Sequence, residues 1–473
     1  MIYLPQINGG YAEAIKSIRK KIHKKDTKSV KTMAITKEDV LKSIEKNNVR
    51  FLRLQFVDTQ GMVKNVGIPV SQAEKALTSG ISFDGSSIEG FVRIEESDMV
   101  LIPDVNTYQV LPWEVGGGNV ARIICDVHLP NGKPFEGDPR YVLKKAIKEA
   151  HALGFTMNTG PELEFFLFEE KDGKSTNKPH DFGGYFDFPP IDLAEGIRQE
   201  IVVALENMGF NIEASHHEVA EGQHEIDFKY DDALTTADNV ITFKFVTKTI
   251  ARMNNLYASF MPKPVFGING SGMHTNISLF KDGKNAFYDE DGEYEVSDTL
   301  RYFIGGLKKH VQAFTAVTNP LVNSYKRLVP GYEAPVYVAW SGANRSSLIR
   351  IPAARGMSTR VELRSPDPAC NPYLSFAVIL MAGLDGVKNK IDAGEPVKHN
   401  IFDMSESERI ENGIESLPGN LKDALNAFES SAIVREALGE HVFSNLRRLG
   451  RAEWDAYRTQ VHQWELKRYL NII

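Results

Sequence analysis

The stretch PELEFF (residues 161–166) sets two carboxylates, Glu162 and Glu164, two residues apart at the head of an apolar run. In a β-strand alternate side chains share a face, so both would project from one side. Three other stretches repeat the pattern. In GSGMHTNISLF, His274, Asn276 and Ser278 alternate with Met273, Thr275, Ile277 and Leu279. In QHEIDFKY, Glu225 and Asp227 alternate with Ile226 and Phe228, and in TRVELRS, Arg360, Glu362 and Arg364 alternate with Val361 and Leu363. A sheet with one solvated face is ordinary in antiparallel proteins, but such faces mix lysine, threonine and both charges. These carry Glu and His in ligand-like sets, so the pattern predicts strands lining a cavity. The candidate ligands are Glu162, Glu164, Glu218, Glu225, His274 and Glu362. Like charges ~4 Å apart in an effective dielectric of ~20 cost on the order of 4 kcal/mol per pair. Without cations several of these groups would have to protonate. Two divalent ions nearly neutralise the set, and mostly oxygen ligands with a single imidazole suit Mg²⁺ or Mn²⁺ better than zinc.

The histidine-rich stretch SHHEVAEGQHE lacks the HExxH spacing of a zinc hydrolase, which disfavours metal chemistry through His217 and His224. His216 and His217 read as satisfied or surface histidines. Arg345, Arg350, Arg355, Arg360 and Arg364 crowd a short stretch that also holds Pro352 and Glu362. Few lysines or aromatics accompany them, so a nucleic-acid patch is the weaker reading. Guanidinium forks grip phosphate and carboxylate alike, and beside a metal cluster they can stabilise a transferring phosphoryl group. Arg355 reads as a plain salt bridge. There is no GxxxxGK[ST], which excludes a P-loop. Gly267, Gly270 and Gly272 in FGINGSGMH precede a strand, as backbone kept bare for a close approach would. Residues 319–335, with three prolines around Arg327 and Glu333, read as a long loop of the kind that serves as a lid.

These residues need a scaffold of at least two domains, because 473 residues exceed what one core usually organises. Residues 1–34 form a basic extension, with Lys16, Arg19, Lys20, Lys21, Lys24, Lys25, Lys28 and Lys31 against Glu13 and Asp26. No secretory pattern occurs there, and it reads as an extension ahead of Met33. From Ile35 a helix near 37–47, strands either side of Thr59-Gln60-Gly61, and strands near 100–102 and 120–126 predict a small α+β domain over 35–137. Asp138-Pro139 opens the second domain, 138–473, as N-cap and first helical residue of a helix to about Leu153. Strands and helices interleave to about residue 390. Helices follow at 406–412, 421–430, 433–438 and 451–469. Asn371-Pro372 caps a buried helix containing the greasiest run, Phe376–Leu384, which is too short to span a bilayer. Two isolated cysteines, Cys125 and Cys370, argue against disulfides and a thiolate zinc site and for a reducing, cytoplasmic setting. A net charge of −7 supports neither nucleic-acid nor acidic-membrane binding.

From Ile35 to the C-terminus the chain resembles glutamine synthetase of the bacterial and archaeal type I class. The motifs are FDGSSIEGF (83–91), PELEFF, HHEVAEGQHEID (216–227), NGSGMHTN (269–276), NSYKRLVPGYEAP (323–335), NRSSLIRIP (344–352) and RVELRSPDPACNPYL (360–374). The resemblance implies a β-grasp domain followed by a catalytic domain with a curved antiparallel sheet and helices. It implies a homo-dodecamer of two hexameric rings with active sites between subunits. The implied reaction joins L-glutamate and ammonium, with ATP first phosphorylating the γ-carboxylate, and uses two or three Mg²⁺ or Mn²⁺ ions per site. By the same resemblance Glu164, Glu218 and Glu225 would hold one cation, and Glu162, His274 and Glu362 another nearer the nucleotide. Arg345 and Arg364 would stabilise the phosphoryl group. Arg327 would grip the glutamate α-carboxylate, with Asn269 and Gly270 at its amino-acid end. Glu333 would close the lid, and Asp84 of a neighbouring subunit would bind and deprotonate ammonium. Glu213, Tyr230, Asn276, Ser278, Arg345 and Arg350 match nucleotide contacts, although Asn276 stands where some members have histidine. Phe402 stands where adenylylated members carry tyrosine, so that switch should be absent. GFVRIEESDM resembles the feedback-inhibited subclass, with Arg93 taking part in glutamine inhibition. The same fold also hosts ligases of glutamate with larger amines and catalytically silent structural or regulatory homologues. A PII-type or repressor protein is a further partner the resemblance allows.

Overall fold

The computed structural model describes residues 35–88, 90–91, 98–114, 117–342, 347–398 and 400–473. The basic extension, Arg93 and Arg345 lie outside the described residues. Helix α1 (Lys37–Lys46) starts where Thr36 and Asp39 form a reciprocal capping box, and it buries Val40 and Ile44. Strands β1 (Val49–Val57) and β2 (Val63–Pro69) pair antiparallel around Thr59-Gln60-Gly61. Then come α2 (Ala73–Ser79), β3 (Ile81–Asp84), β4 (Asp98–Pro103), β5 (Gln109–Glu114) and β6 (Asn119–His128). They form a six-stranded sheet in the order β2-β1-β6-β4-β3, with β5 on β6 and the central β1–β6 pair parallel. A parallel pair needs a crossover rather than a hairpin. The chain supplies it with α2 and the intervening strands.

Helix α3 (Pro139–Ala152) begins at Asp138, whose side chain accepts from the Arg140 N–H. The larger sheet follows. Its strands are β7 (Thr156–Lys171), β8 (Lys174–Pro179), β9 (Ile212–His217), β10 (Gln223–Phe228), β11 (Asp231–Asp232), β12 (Leu256–Ser259), β13 (Met273–Lys281), β14 (Lys284–Asn285), β15 (Trp340–Ser341), β16 (Ile349–Arg350) and β17 (Val361–Leu363). The order is β15-β16-β17-β13-β7-β10-β9, antiparallel except for β15–β16. Helices α4 (Glu195–Asn207), α5 (Ala233–Met253), α6 (Asp298–Thr318) and α7 (Pro372–Asn389) share the main core with the dry faces of these strands. Helices α6 and α7 approach closely: a Cβ on Gly306 would stand 2.8 Å from the Gly386 nitrogen.

The C-terminal helices depart from expectation only in the last stretch, 451–469. Helix α8 (Leu421–Ser430) is followed by α9 (Ala432–Arg458), whose backbone leaves the helical region at Gly439 (φ 72°, ψ 159°), so the expected 433–438 helix ends there, while the helix expected from 451 already begins just beyond that break. Phe443, beyond the break, stacks on Phe428 with ring centroids 4.4 Å apart. The 451–469 stretch breaks at residues 459–462 before α10 (Gln463–Tyr469). Among the described residues no helix is long and apolar enough to cross a membrane.

The two sheets are joined by a buried ionic knot. Arg140, 3% exposed, donates to Asp104 and Asp126 of the smaller unit and, through two nitrogens, to Asp238 on α5. Tyr373 donates to the same Asp238, at 2.6 Å.

Candidate active site

Strand β7 shows how the site is built. Leu163, Phe165 and Leu167 are fully buried in the main core, so Glu162 and Glu164 must point the other way. Beyond them that second face turns apolar, with Phe166 and Phe168 stacked at 5.5 Å in a small separate cluster with Ala220. Register then assembles the acids. Glu225 on β10 lies opposite Glu164, Asp227 opposite Glu162, and His274 on β13 opposite Glu162. Glu362 on β17 pairs with Asn276, the next residue on that face of β13.

The side chains converge as the alternation requires. His274 Nδ1 is 3.5 Å from Glu162 Oε2 and 4.0 Å from Glu362 Oε1, and its Nε2 is 3.8 Å from Glu164 Oε1. Glu162, His274 and Glu362 can offer ligand atoms within 4.8 Å of one another. Glu218 and Glu225 are bridged by His216, whose Nδ1 and Nε2 stand 3.5 and 3.4 Å from their carboxylates. His216 Nδ1 also stands 3.2 Å from the His217 carbonyl, so the ring is satisfied in part by the backbone, as expected, and adjoins the acids as well. Sequence reasoning set it aside, although its place two residues ahead of Glu218 was the available signal. Asp227, with a buried Oδ1 that has no hydrogen-bond partner, is a further acid of this group.

Electrostatics reports whether cations fit. Burial, then the neighbouring acids, pushes Glu218 up to about 8, Glu225 up to about 11 and Asp227 up to about 7. Burial also opposes charge on Glu162, but hydrogen bonds from His274 and Asn276 outweigh it and hold that carboxyl below its ordinary value. Carboxylates packed this way keep protons unless positive charge is supplied. The donor set, carboxylate oxygens with one or two imidazoles, suits hard divalent ions. The residues fit.

Around this centre the other candidates separate into two regions. Gly160, Glu162, Glu213, Tyr230, Asn276, Ser278 and the 357–360 segment line a cavity of about 400 Å³. Asn276 donates to Glu162 at 2.9 Å and accepts from Arg360 at 2.9 Å, which fixes its amide. Arg350 lies outside the lining of this cavity and donates to Glu362 at 2.5 Å. On the other side Glu164, Glu218, Gln223, Asn269, Gly270, His274, Arg327 and Glu333 enclose a smaller pocket. Arg327, 3% exposed, is held by the carbonyls of Arg364, Ser365 and Pro366. Arg364 Nε is 3.2 Å from Glu362. At Gly272 it is the protein's own side chains that come close: a Cβ there would stand 2.6 Å from Arg327 Nη2 and 2.8 Å from His274 Nε2. The 319–335 segment contains a short helix, Ser324–Arg327, and then an exposed tip at Pro330, Gly331 and Glu333. Gln223, not singled out from the sequence, donates to Glu164 at 2.7 Å and to the Gly270 carbonyl at 3.2 Å.

Three residues stand apart. Asp84 ends β3, exposed, and lines neither cavity. Phe402 packs on Tyr337, centroids 5.8 Å apart, away from the acids. Arg355 is not the expected salt bridge: its guanidinium donates to the carbonyls of Tyr294, Pro352 and Ala354 and so ties loops together.

Acids that demand cations, with guanidinium groups against them and a nucleotide-sized hollow alongside, equip a chain to move a phosphoryl group onto a carboxylate, the work of an ATP-dependent ligase. Residues 48–130 match the glutamine synthetase β-grasp domain, and residues 136–469 match the glutamine synthetase catalytic domain. The chain is 62% identical over 439 residues to the glutamine synthetase of Methanosarcina mazei, covering 93% of this chain and 98% of that one. It is 60% identical to that of Clostridium saccharobutylicum, covering 92% and 99%. A solved structure titled GmaS/ADP complex superposes with a TM-score of 0.84 at 34% identity, covering 92% and 99%. Plasmodium falciparum glutamine synthetase superposes at 0.82 and 30%, covering 94% and 100%. The chain belongs to the glutamine synthetase family. Its reaction is the ATP-dependent condensation of L-glutamate and ammonia to L-glutamine in nitrogen assimilation, and that family chemistry uses ATP and divalent metal.

Proposed function

We propose that the acidic strands hold two or three Mg²⁺ or Mn²⁺ ions, one on Glu164, Glu218 and Glu225 and one on Glu162, His274 and Glu362. The observation that carries this is the register, which stacks Glu164 on Glu225 and Glu162 on His274 across adjacent strands. Bound there, the cations would neutralise the acids and the phosphate oxygens of ATP as the γ-phosphoryl group passes to the glutamate γ-carboxylate.

The chain's own groups do the rest. The cavity by Glu213, Tyr230, Asn276 and Ser278 takes the nucleotide. Arg350, outside the lining of that cavity, would meet the nucleotide from beside Glu362, to which it donates. Arg364, and Arg345 from the nucleotide side, stabilise the charge that spreads over the phosphoryl oxygens. Arg327, buried with carbonyls behind it, presents the rest of its fork to the glutamate α-carboxylate, while Asn269 and Gly270 receive the amino-acid end. Glu333, at the exposed tip of its loop, closes over the acyl phosphate and keeps water away. Asp84 completes a neighbouring subunit's site, where a carboxylate binds ammonium and takes its proton. Its exposure at the end of β3 supports that reading; the assembly proposed with it is a homo-dodecamer of two hexameric rings.

The finer assignments belong to the same proposal. The protein is cytoplasmic, feedback-inhibited by glutamine through Arg93, and not adenylylated, because Phe402 offers no hydroxyl. A PII-type or repressor protein is an additional partner. The division between the domains falls at residues 137 and 138, supported by the change of sheet there. A phosphate-release assay with glutamate, ATP and ammonium tests the whole: turnover requires a divalent ion, falls with added glutamine, and is lost when larger amines replace ammonium. Turnover with larger amines but not with ammonium would instead make the chain a γ-glutamyl-amine ligase.

A further inference from the structure

Asp181 follows β8, is fully buried, and takes no part in the reaction as proposed. Its Oδ1 accepts from the Gly222 N–H at 2.9 Å and faces His217 Nε2 at 3.0 Å. Its Oδ2 accepts from the Leu193 N–H at 3.2 Å. His217, also fully buried, places Nδ1 2.6 Å from the carbonyl oxygen of Glu218. A carbonyl only accepts, so Nδ1 carries a hydrogen. Nε2 faces the Asp181 carboxylate, so the ring bridges Asp181 and the backbone of Glu218.

A metal ion is the competing occupant, because Asp181, His217 and His224 offer ligand atoms within 4.8 Å of one another. Donor bookkeeping rules it out. His224 Nδ1 stands 3.0 Å from the guanidinium of Arg198, which can only donate, so its Nε2, buried and without a hydrogen-bond partner, holds the ring hydrogen. His224 therefore has no nitrogen lone pair left for a cation, and the set falls short of three ligands. Arg198 is itself fastened to Asp192, at 2.6 and 3.1 Å.

The network grips the two ends of one turn. The Glu218 N–H donates to the Gln223 carbonyl at 2.8 Å, and the Gln223 N–H to the Ala220 carbonyl at 3.0 Å. Asp181 holds Gly222 directly and Glu218 through His217, and the turn between them joins Glu218 to Gln223 and Glu225. A buried charge and its partner often stabilise a fold no better than apolar packing would. Holding a carboxylate in place gives this pair a reason to exist.

We propose that Asp181 is a positioning residue: acting through His217, it sets where the Glu218 carboxylate stands over the cation site. The inference rests on the reading of Glu218 as a cation ligand. The test is Mn²⁺ binding to the full-length protein, followed by electron paramagnetic resonance, together with steady-state kinetics at varied Mg²⁺. D181N keeps the size of the side chain but removes its charge. Groups that orient metal ligands are worth about 10- to 100-fold in affinity, so D181N is expected to weaken Mn²⁺ binding about 10-fold or more. It should raise the Mg²⁺ requirement, while kcat returns at high Mg²⁺ and KM for ATP changes less than about 2-fold. H217Q should reproduce the loss, and D181N/H217Q should be no worse than H217Q alone, because the carboxylate acts through the ring. If D181N does not fold, H217Q alone carries the test. Folded variants with wild-type Mn²⁺ affinity, or additive losses in the double variant, overturn the inference. E218Q separates the two claims. If E218Q leaves Mn²⁺ binding intact, the ligand reading fails. If E218Q abolishes a site that D181N and H217Q leave untouched, only the positioning role fails.

Discussion

Loading the site with cations should expel protons, and the structure says roughly how many. Burial and mutual repulsion raise Glu225 to about 11, Glu218 to about 8 and Asp227 to about 7. At pH 7 the cation-free protein therefore holds about two protons on these three carboxyls, which bound cations would displace. Isothermal titration with Mg²⁺ or Mn²⁺ in buffers of differing ionisation enthalpy reads this number directly. It should fall toward one by pH 9, as Asp227 and Glu218 empty. The same groups set a stability trend. Their folded values lie above the ordinary 4.5 and 3.8, so the folded form binds protons that the unfolded chain has released. That stabilisation is complete below about pH 4 and is lost as pH rises through 7 and 8. The Tm of chelated protein should thus drop from pH 6 to pH 9, and saturating Mn²⁺ should flatten the drop. Stoichiometric cation binding with no proton release at pH 7, and a Tm indifferent to pH over that span, would refute the reasoning.

Gly272→Ala would drive a methyl group against Arg327 and His274. A displacement near 1 Å at a positioned group can cost about 100-fold, so kcat/KM for glutamate should fall by that order while nucleotide binding in the separate cavity persists. Arg140→Met removes the cation shared by Asp104, Asp126 and Asp238. Leaving buried acids unpaired should cost about 3–5 kcal/mol, read as a lower urea midpoint, with Asp126 eased by its remaining partner Lys144.

Much of the site was legible because strand alternation is a rigid rule. Once Leu163, Phe165, Met273 and Ile277 are committed to the core, Glu162, Glu164, His274 and Asn276 have only one face left. The caps at Thr36, Asp138 and Asn371 were equally plain, because a short polar side chain before an apolar run has few other uses. What the sequence hid lay in cross-chain partnership. Asp181 is 36 residues from His217, and no local period links them. His216 looked like its neighbour, yet the pleat turns one ring toward the acids and buries the other against Asp181. Gly439 was legible as a stop, and the helix does break there, but the helix beyond it starts well before 451, in a segment where Phe443 stacks on Phe428.

The central claim is that divalent cations occupy the space between the acidic strands. Anomalous diffraction from crystals grown with Mn²⁺ tests it most directly. The account predicts peaks bonded to Glu164, Glu218 and Glu225 and to Glu162, His274 and Glu362. A well-ordered map with no peak at either place, from enzyme that turns over in the same Mn²⁺, would contradict it.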